Sequence, residues 1–238
     1  MWIKMNILSN ETFYKEINEQ KVKILGNADA KSNVNCDKLH VPGEMRVAGN
    51  ISCRQLRVAG KLISNGDINV SEKLRVAGSL SCNGNIYTRE YCRIVGRLSV
   101  AGNLNSDDSI KIYGQLECVG NIAVNGYFKT HSKINVDGDI VSLEEISLSG
   151  GHSVIKGDIY ANNVKISSNS EILGNIYFVD NVNFSGGRKL KSPPIQISRE
   201  QLIEKIKRTN ELTPNSGLIQ NASEKQTKQY IKPHFCPY

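Results

Sequence analysis

The side chains best able to do chemistry in this chain are its four histidines and six cysteines. Imidazole and thiolate are common zinc ligands and supply the usual nucleophile and base of acyl transfer. Such sites announce themselves by close spacing, as in Cys-x-x-Cys or two histidines one helical turn apart. Here His40, His131, His152 and His234 are widely scattered, and no Cys-x-x-Cys occurs. His234 and Cys236 stand near each other, but two ligands do not make a structural metal site. No catalytic residue, metal or cofactor is expected. The cations are better ordered: His40, Arg57, Arg75, Arg93, Lys111 and Lys129 recur at steps of seventeen or eighteen residues. Acids stand three residues before most of them, at Asp37, Glu72, Glu90 and Asp108, and farther on at Glu144. Stacked charges of one sign repel mildly in water, and a neighbouring acid column would offset them. The two columns are therefore expected to compensate each other and set register. The alternative use of Arg57, Arg75, Arg93, Lys111 and Lys129 is as a stripe for an anionic partner.

The element that places these residues is a repeat. Gly60, Gly78, Gly96 and Gly114 recur every eighteen residues, as do Gly66, Gly84, Gly102, Gly120 and Gly138. Each opens the phrase Gly-x-(Ile/Leu), and a fixed period of this length means a solenoid. Between the glycines, apolar residues come two apart in pairs that return every six, as in Leu74/Val76, Leu98/Val100, Ile110/Ile112 and Ile134/Val136. A spacing of two puts both members on one face of a strand. Six residues suit a short strand and a corner, so three strands make one coil of a three-sided parallel β-helix. The glycines are expected at corners, where a positive φ and a missing Cβ are useful. The register runs from residue 39 to 184, about eight coils and a rod of about 40 Å at the usual strand spacing. One coil is a residue short, and an extra residue is expected near Gly150-Gly151.

Composition divides the chain around this rod. Residues 33–187 form the β-helix domain and balance fifteen bases with fifteen acids, while residues 188–238 carry ten bases against four acids. Most of the net charge of +7 therefore belongs to the C-terminal segment, as in segments that contact anionic surfaces. Residues 1–32 lack the repeat and are expected to be a tail. Its apolar tip, Trp2, Ile3, Ile7 and Leu8, is the candidate membrane contact. After Pro193-Pro194, Ser198-Arg-Glu-Gln201 reads as a capping box with a staple between Ile197 and Leu202. A helix near 199–212 should follow, either capping the open end of the last coil or standing free as an amphipathic segment. The cysteines Cys36, Cys53, Cys82, Cys92 and Cys118 fall on inward phases, which suits reduced core thiols and a cytoplasmic protein. No signal peptide or membrane span is evident.

The phrases Val58-Ala-Gly60, Val76-Ala-Gly78 and Val100-Ala-Gly102, with their Gly-(Asp/Asn)-Ile companions, resemble the bactofilin family of bacterial polymer-forming cytoskeletal proteins. The resemblance covers residues 39–186. It implies a right-handed β-helix that assembles end to end into nucleotide-independent filaments, often beneath the membrane, serving cell shape, division or motility. The partner is then the chain itself, with an anionic membrane surface or cell-wall and division proteins as further candidates. Nucleic acid is not an expected partner. Physics favours assembly too, because a solenoid end is an unpaired strand edge above an open apolar core. The rod ends are the expected polymerisation interface: Leu39, Val41 and Met45 at one, Phe178, Val182 and Phe184 at the other. A rival reading is a non-polymerising β-helix module of the division-regulator or flagellar-assembly type. A hexapeptide-repeat acyltransferase is a weaker rival, since that repeat places glycine directly after the aliphatic residue and needs a catalytic histidine.

Overall fold

The computed structural model describes residues 4–167, 169–185 and 188–211. Nearly all of it is short parallel strand, stacked in about ten turns and followed by one helix, Arg199–Glu211. Three faces recur in every turn. The first holds strands such as Ile86–Thr88, Leu104–Ser106 and Ile122–Val124. The second holds Cys92–Ile94, Ile110–Ile112 and Phe128–Thr130. The third is an 11-stranded sheet that includes Ser79–Cys82, Arg97–Val100 and Gln115–Cys118. Strand residues alternate buried and open, as in Ile134–Val136. The inward members stack into one continuous apolar core from Ile7 to Ile176. Each fully buried aliphatic side chain contributes roughly 1.5–3 kcal/mol.

The solenoid is longer than its sequence suggests. Residues expected to form a tail build two further turns: Lys4–Ile7 pairs with Ile17–Ile24, and Glu11–Phe13 with Asn27–Ala30. Ile17–Ile24 in turn pairs with Val34–Val41. These turns are seventeen residues long, and inward positions hold Glu11, Glu19, Ala28 and Ala30 rather than large aliphatics. The extra residue does fall beside Gly150-Gly151, since Thr130 pairs with Leu148 at a step of eighteen but Val136 pairs with Ile155 at nineteen.

Two corner columns explain the glycines and the Asx residues. Only Gly150, at φ 93°, has the positive φ expected of corners among the described residues. The other requirement is close approach: a Cβ on Gly96 would lie 1.9 Å from the carbonyl oxygen of Gly78, one turn below. At another corner, Asn33, Asn50, Asp67, Asn85, Asn103, Asn121, Asp139, Asp158 and Asn175 form a ladder. Each side-chain Oδ1 accepts the backbone N–H of the next member at 2.7–2.9 Å. The last, Asn175, accepts the Ser192 hydroxyl at 2.9 Å. Corner amides that would otherwise lack a partner are thereby satisfied.

The helix starts where its capping box places it. Ser198 N–H donates to Gln201 Oε1 at 2.9 Å, and Gln201 N–H to Ser198 Oγ at 3.3 Å. It neither caps the end nor stands free; it lies along the first face near the C-terminal end. Leu202 and Ile206 are buried against the outward-pointing Ala123 and Val141, with Leu143, Tyr160, Val179 and Ile197 around them. Lys205 donates to Asp139 at 2.7 Å and lies 4.6 Å above the Tyr160 ring. The outward column turns from Asn18, Asn35 and Asn69 to Ala123, Val141 and Tyr160, which makes an apolar seat.

Candidate functional surfaces

Two kinds of surface follow from this architecture: the ends of the rod and its flanks. At the C-terminal end the second face stops at Asn181–Phe184, whose only described partner strand is Asn163–Ile166 below. Phe178, Val182, Phe184 and Leu190 are half-buried and pack down onto the core. At the other end the expected residues are misplaced. Leu39, Val41 and Met45 are at most 1% exposed, sealed under the two additional turns. Met5 and Phe13 take the terminal positions, packed against the core. With Tyr14 and Ile17 they line an open depression of about 380 Å³. Sequence reading missed both because it began the solenoid too late.

The tip expected to touch a membrane is also redistributed. Ile7 is 1% exposed and belongs to the core, whereas Leu8 is 73% exposed. Trp2 and Ile3 lie outside the described residues, as do His234 and Cys236.

The basic column forms, and it is longer than expected. On the second face Lys23, His40, Arg57, Arg75, Arg93, Lys111 and Lys129 stand directly over one another. The compensation expected from the acid column largely fails. Arg54 at the corner takes Asp37, and also Glu72 at 2.6 Å, while Gln55 donates to Glu72 at 2.7 Å. These contacts hold both carboxyls below the usual range, with Arg54 the main cause at Asp37 and Gln55 at Glu72. Lys129 pairs with Glu145 at 3.0 Å, not with Glu144. Arg57, Arg75, Arg93 and Lys111 therefore have no acid bridging them among the described residues. Aromatic rings flank the upper half: Arg93 lies 5.1 Å from the Tyr113 ring, Lys111 5.1 Å from Tyr127, and Tyr113 stacks on His131.

His40 reports on this column. Burial, then the charges of Arg57 and Lys23, push its pKa below the usual 6.5. In the interval below 6.5 the unfolded chain binds a proton that the folded chain refuses, so stability falls as pH drops through that interval. His40→Asn is expected to flatten the loss of stability between about pH 7 and pH 5, the range of an ordinary histidine. Urea midpoints measured across that range would show it, and parallel slopes for the two proteins would refute it.

The thiols offer little reactivity. Burial pushes Cys82, Cys92 and Cys118 up to about 12. Cys82 and Cys118 also hydrogen-bond corner carbonyls of Gly66 and Gly120, at 3.3 and 3.4 Å, so they finish corners as well as fill space. Among the described residues no group of three or more His, Cys, Asp or Glu is arranged to hold a metal ion. No helix among them is long and apolar enough to cross a membrane.

Compared with known families, the chain matches the model described as Bactofilin, polymer-forming cytoskeletal, over residues 15–93 and 92–191. The first match begins inside the segment that sequence reading took for a tail. Neither the curated proteins nor the solved structures give a match.

Proposed function

Since the chain belongs to the bactofilin family of polymer-forming cytoskeletal proteins, we propose that it is a non-enzymatic scaffold whose rods join end to end into nucleotide-independent filaments. The observation that carries this reading is the pair of unfinished ends. One leaves Val182 and Phe184 half-buried above the apolar core, while Phe178 beside them is already covered by the short strand Ile195–Gln196; the other leaves Met5 and Phe13 around an open depression. A strand edge over an apolar core is a template for another copy, and every turn repeats the same section, so a docked rod continues the core. Among the described residues no strand pairs above Asn181–Phe184 or Arg188–Leu190, which leaves an edge that an incoming copy could extend. In the cell such filaments would lie in the cytoplasm, peripheral to the membrane, in service of shape, division or motility. Cell-wall or division proteins would be their clients.

Negative-stain electron microscopy of the full chain, purified without nucleotide, tests the reading. Filaments one rod wide are expected, unchanged by added ATP or GTP. Uniform short particles at every concentration would overturn it and favour the non-polymerising binding module.

A further inference from the structure

Beside the basic column runs a second feature that the sequence conceals. The residue two positions after each member of the column, from Asn6 beneath Lys23 to Lys129, turns outward at the edge between the second and third faces, where the last of them, His131, stacks on Tyr113. There Leu8, Leu25, Val95 and Tyr113 are 73%, 44%, 50% and 42% exposed. Pro42, Ala59 and Ala77 continue the same edge between them. It is an apolar ridge in which each member follows the strand of the second face directly, as Val95 follows Cys92–Ile94. On its other side the third face begins with the column Asn27, Glu44, Lys61, Ser79, Arg97, Gln115 and Lys133, in which Lys61 is paired with Glu44 at 3.2 Å. The ridge is thus apolar at its crest, cationic on the slope of the second face and mixed on the slope of the third. The edge between the third and first faces also exposes aliphatics, Val119 and Leu173, and differs in that its ladder carries Asp67, Asp139 and Asp158.

We propose that this ridge docks the rod lengthwise on an anionic phospholipid leaflet. Three physical features select that partner. Lipid phosphates attract Lys and Arg held near the surface, and Arg57, Arg75 and Arg93 have no described acid to release first. Exposed aliphatics and a tyrosine beside a cationic row match the layered polarity of the headgroup region. The edge of a three-sided rod is convex, so it can press against a plane but cannot cradle a nucleic-acid strand as a groove does. The proposal deepens the peripheral placement given above and moves the contact from the chain's first residues to the body of the rod. It does not depend on end-to-end assembly, since one rod carries the whole ridge.

Cosedimentation of the full-length protein with phosphatidylglycerol–phosphatidylcholine vesicles, against pure phosphatidylcholine vesicles, tests it. Wild type should bind the first and ignore the second, and binding should weaken with salt. Arg57→Gln/Arg75→Gln/Arg93→Gln should weaken binding about a hundredfold, near fivefold for each lost cation. Leu25→Ser/Val95→Ser should weaken it roughly tenfold. Lys31→Gln/Lys156→Gln/Lys191→Gln removes equal charge from the edge between the third and first faces and should bind nearly as wild type. Circular dichroism melts would confirm that every variant is folded. The proposal fails if wild type ignores acidic vesicles, or if the two triple variants lose affinity equally. It also fails if only Trp2→Ser/Ile3→Ser abolishes binding, or if the ladder arginines instead govern binding to a single-stranded oligonucleotide or an acidic peptide. Since filaments are scored separately by microscopy, loss of vesicle binding with filaments intact would sink this proposal alone.

Discussion

Val182→Arg is expected to leave the rod folded and to abolish its filaments. Val182 is half-buried at the C-terminal end, directly above Val164 and Ile146 in an apolar column that continues down to Phe128. In the free rod a long arginine can lay its stem on that column and lift its guanidinium into water. The cost to folding should stay near 1 kcal/mol, as for most changes outside a sealed core. A docked second rod removes that escape. It would bury an unpaired charge over the core, a penalty of about 3–5 kcal/mol. Such a penalty raises the critical concentration for assembly at least a hundredfold. Light scattering against protein concentration, with melting curves in parallel, would show it. Filaments at the wild-type critical concentration would mean that this end is not a joint.

Gly96→Ala is expected to damage the fold itself, although it adds one methyl group. The new Cβ would sit 1.9 Å from Gly78 O, and a Cβ on Gly114, one turn above, would likewise sit 1.8 Å from Gly96 O. These contacts are to backbone, which cannot rotate away as a side chain can. Overpacking of this kind costs about 3 kcal/mol. The smaller gain from restricting the unfolded chain, about 0.4–1 kcal/mol, does not offset it. Gly151→Ala is the matched comparison, because its nearest neighbour would be Lys133 N at 3.1 Å. That variant should lose less than about 1 kcal/mol. Urea midpoints for the two proteins decide the matter; equal midpoints would mean that the glycine column is not held by close approach.

The middle of the rod was legible because its pattern is redundant. Leu98/Val100, Ile110/Ile112 and Ile134/Val136 alternate at two and return at six, a period no helix shares. The first turns were not legible because Glu11, Glu19, Ala28 and Ala30 occupy inward positions and the turn is one residue shorter. That error moved the N-terminal end and put Leu39, Val41 and Met45 at a rod end they do not occupy, since all three are buried. The charge stripe was visible, but its compensation was misjudged. Spacing alone set Asp37 beside His40, whereas Arg54, one turn above, reaches down and takes it. The helix start was readable from Ser198 and Gln201, while its seat needed the outward residues Ala123, Val141 and Tyr160 to be compared down one column. The sequence shows asparagine or aspartate after glycine at every one of these corners but the first, where Ser32 precedes Asn33; only the stacked turns show that Oδ1 receives the next turn's amide.

The position of the helix has a mechanical consequence. It begins beside Val179 and runs back over Tyr160, Val141 and Ala123, touching four successive turns. A turn in a solenoid is ordinarily held only by its neighbours, so a rod can be peeled one layer at a time. Here the last layers are splinted: lifting any one of them also breaks the seat of Leu202 and Ile206 and the Lys205–Asp139 pair. The opposite end has no such brace among the described residues, and its outermost layer is held by short strands such as Lys4–Ile7. The two ends of this rod are therefore unequal under load, one frayed strand by strand and the other yielding as a block.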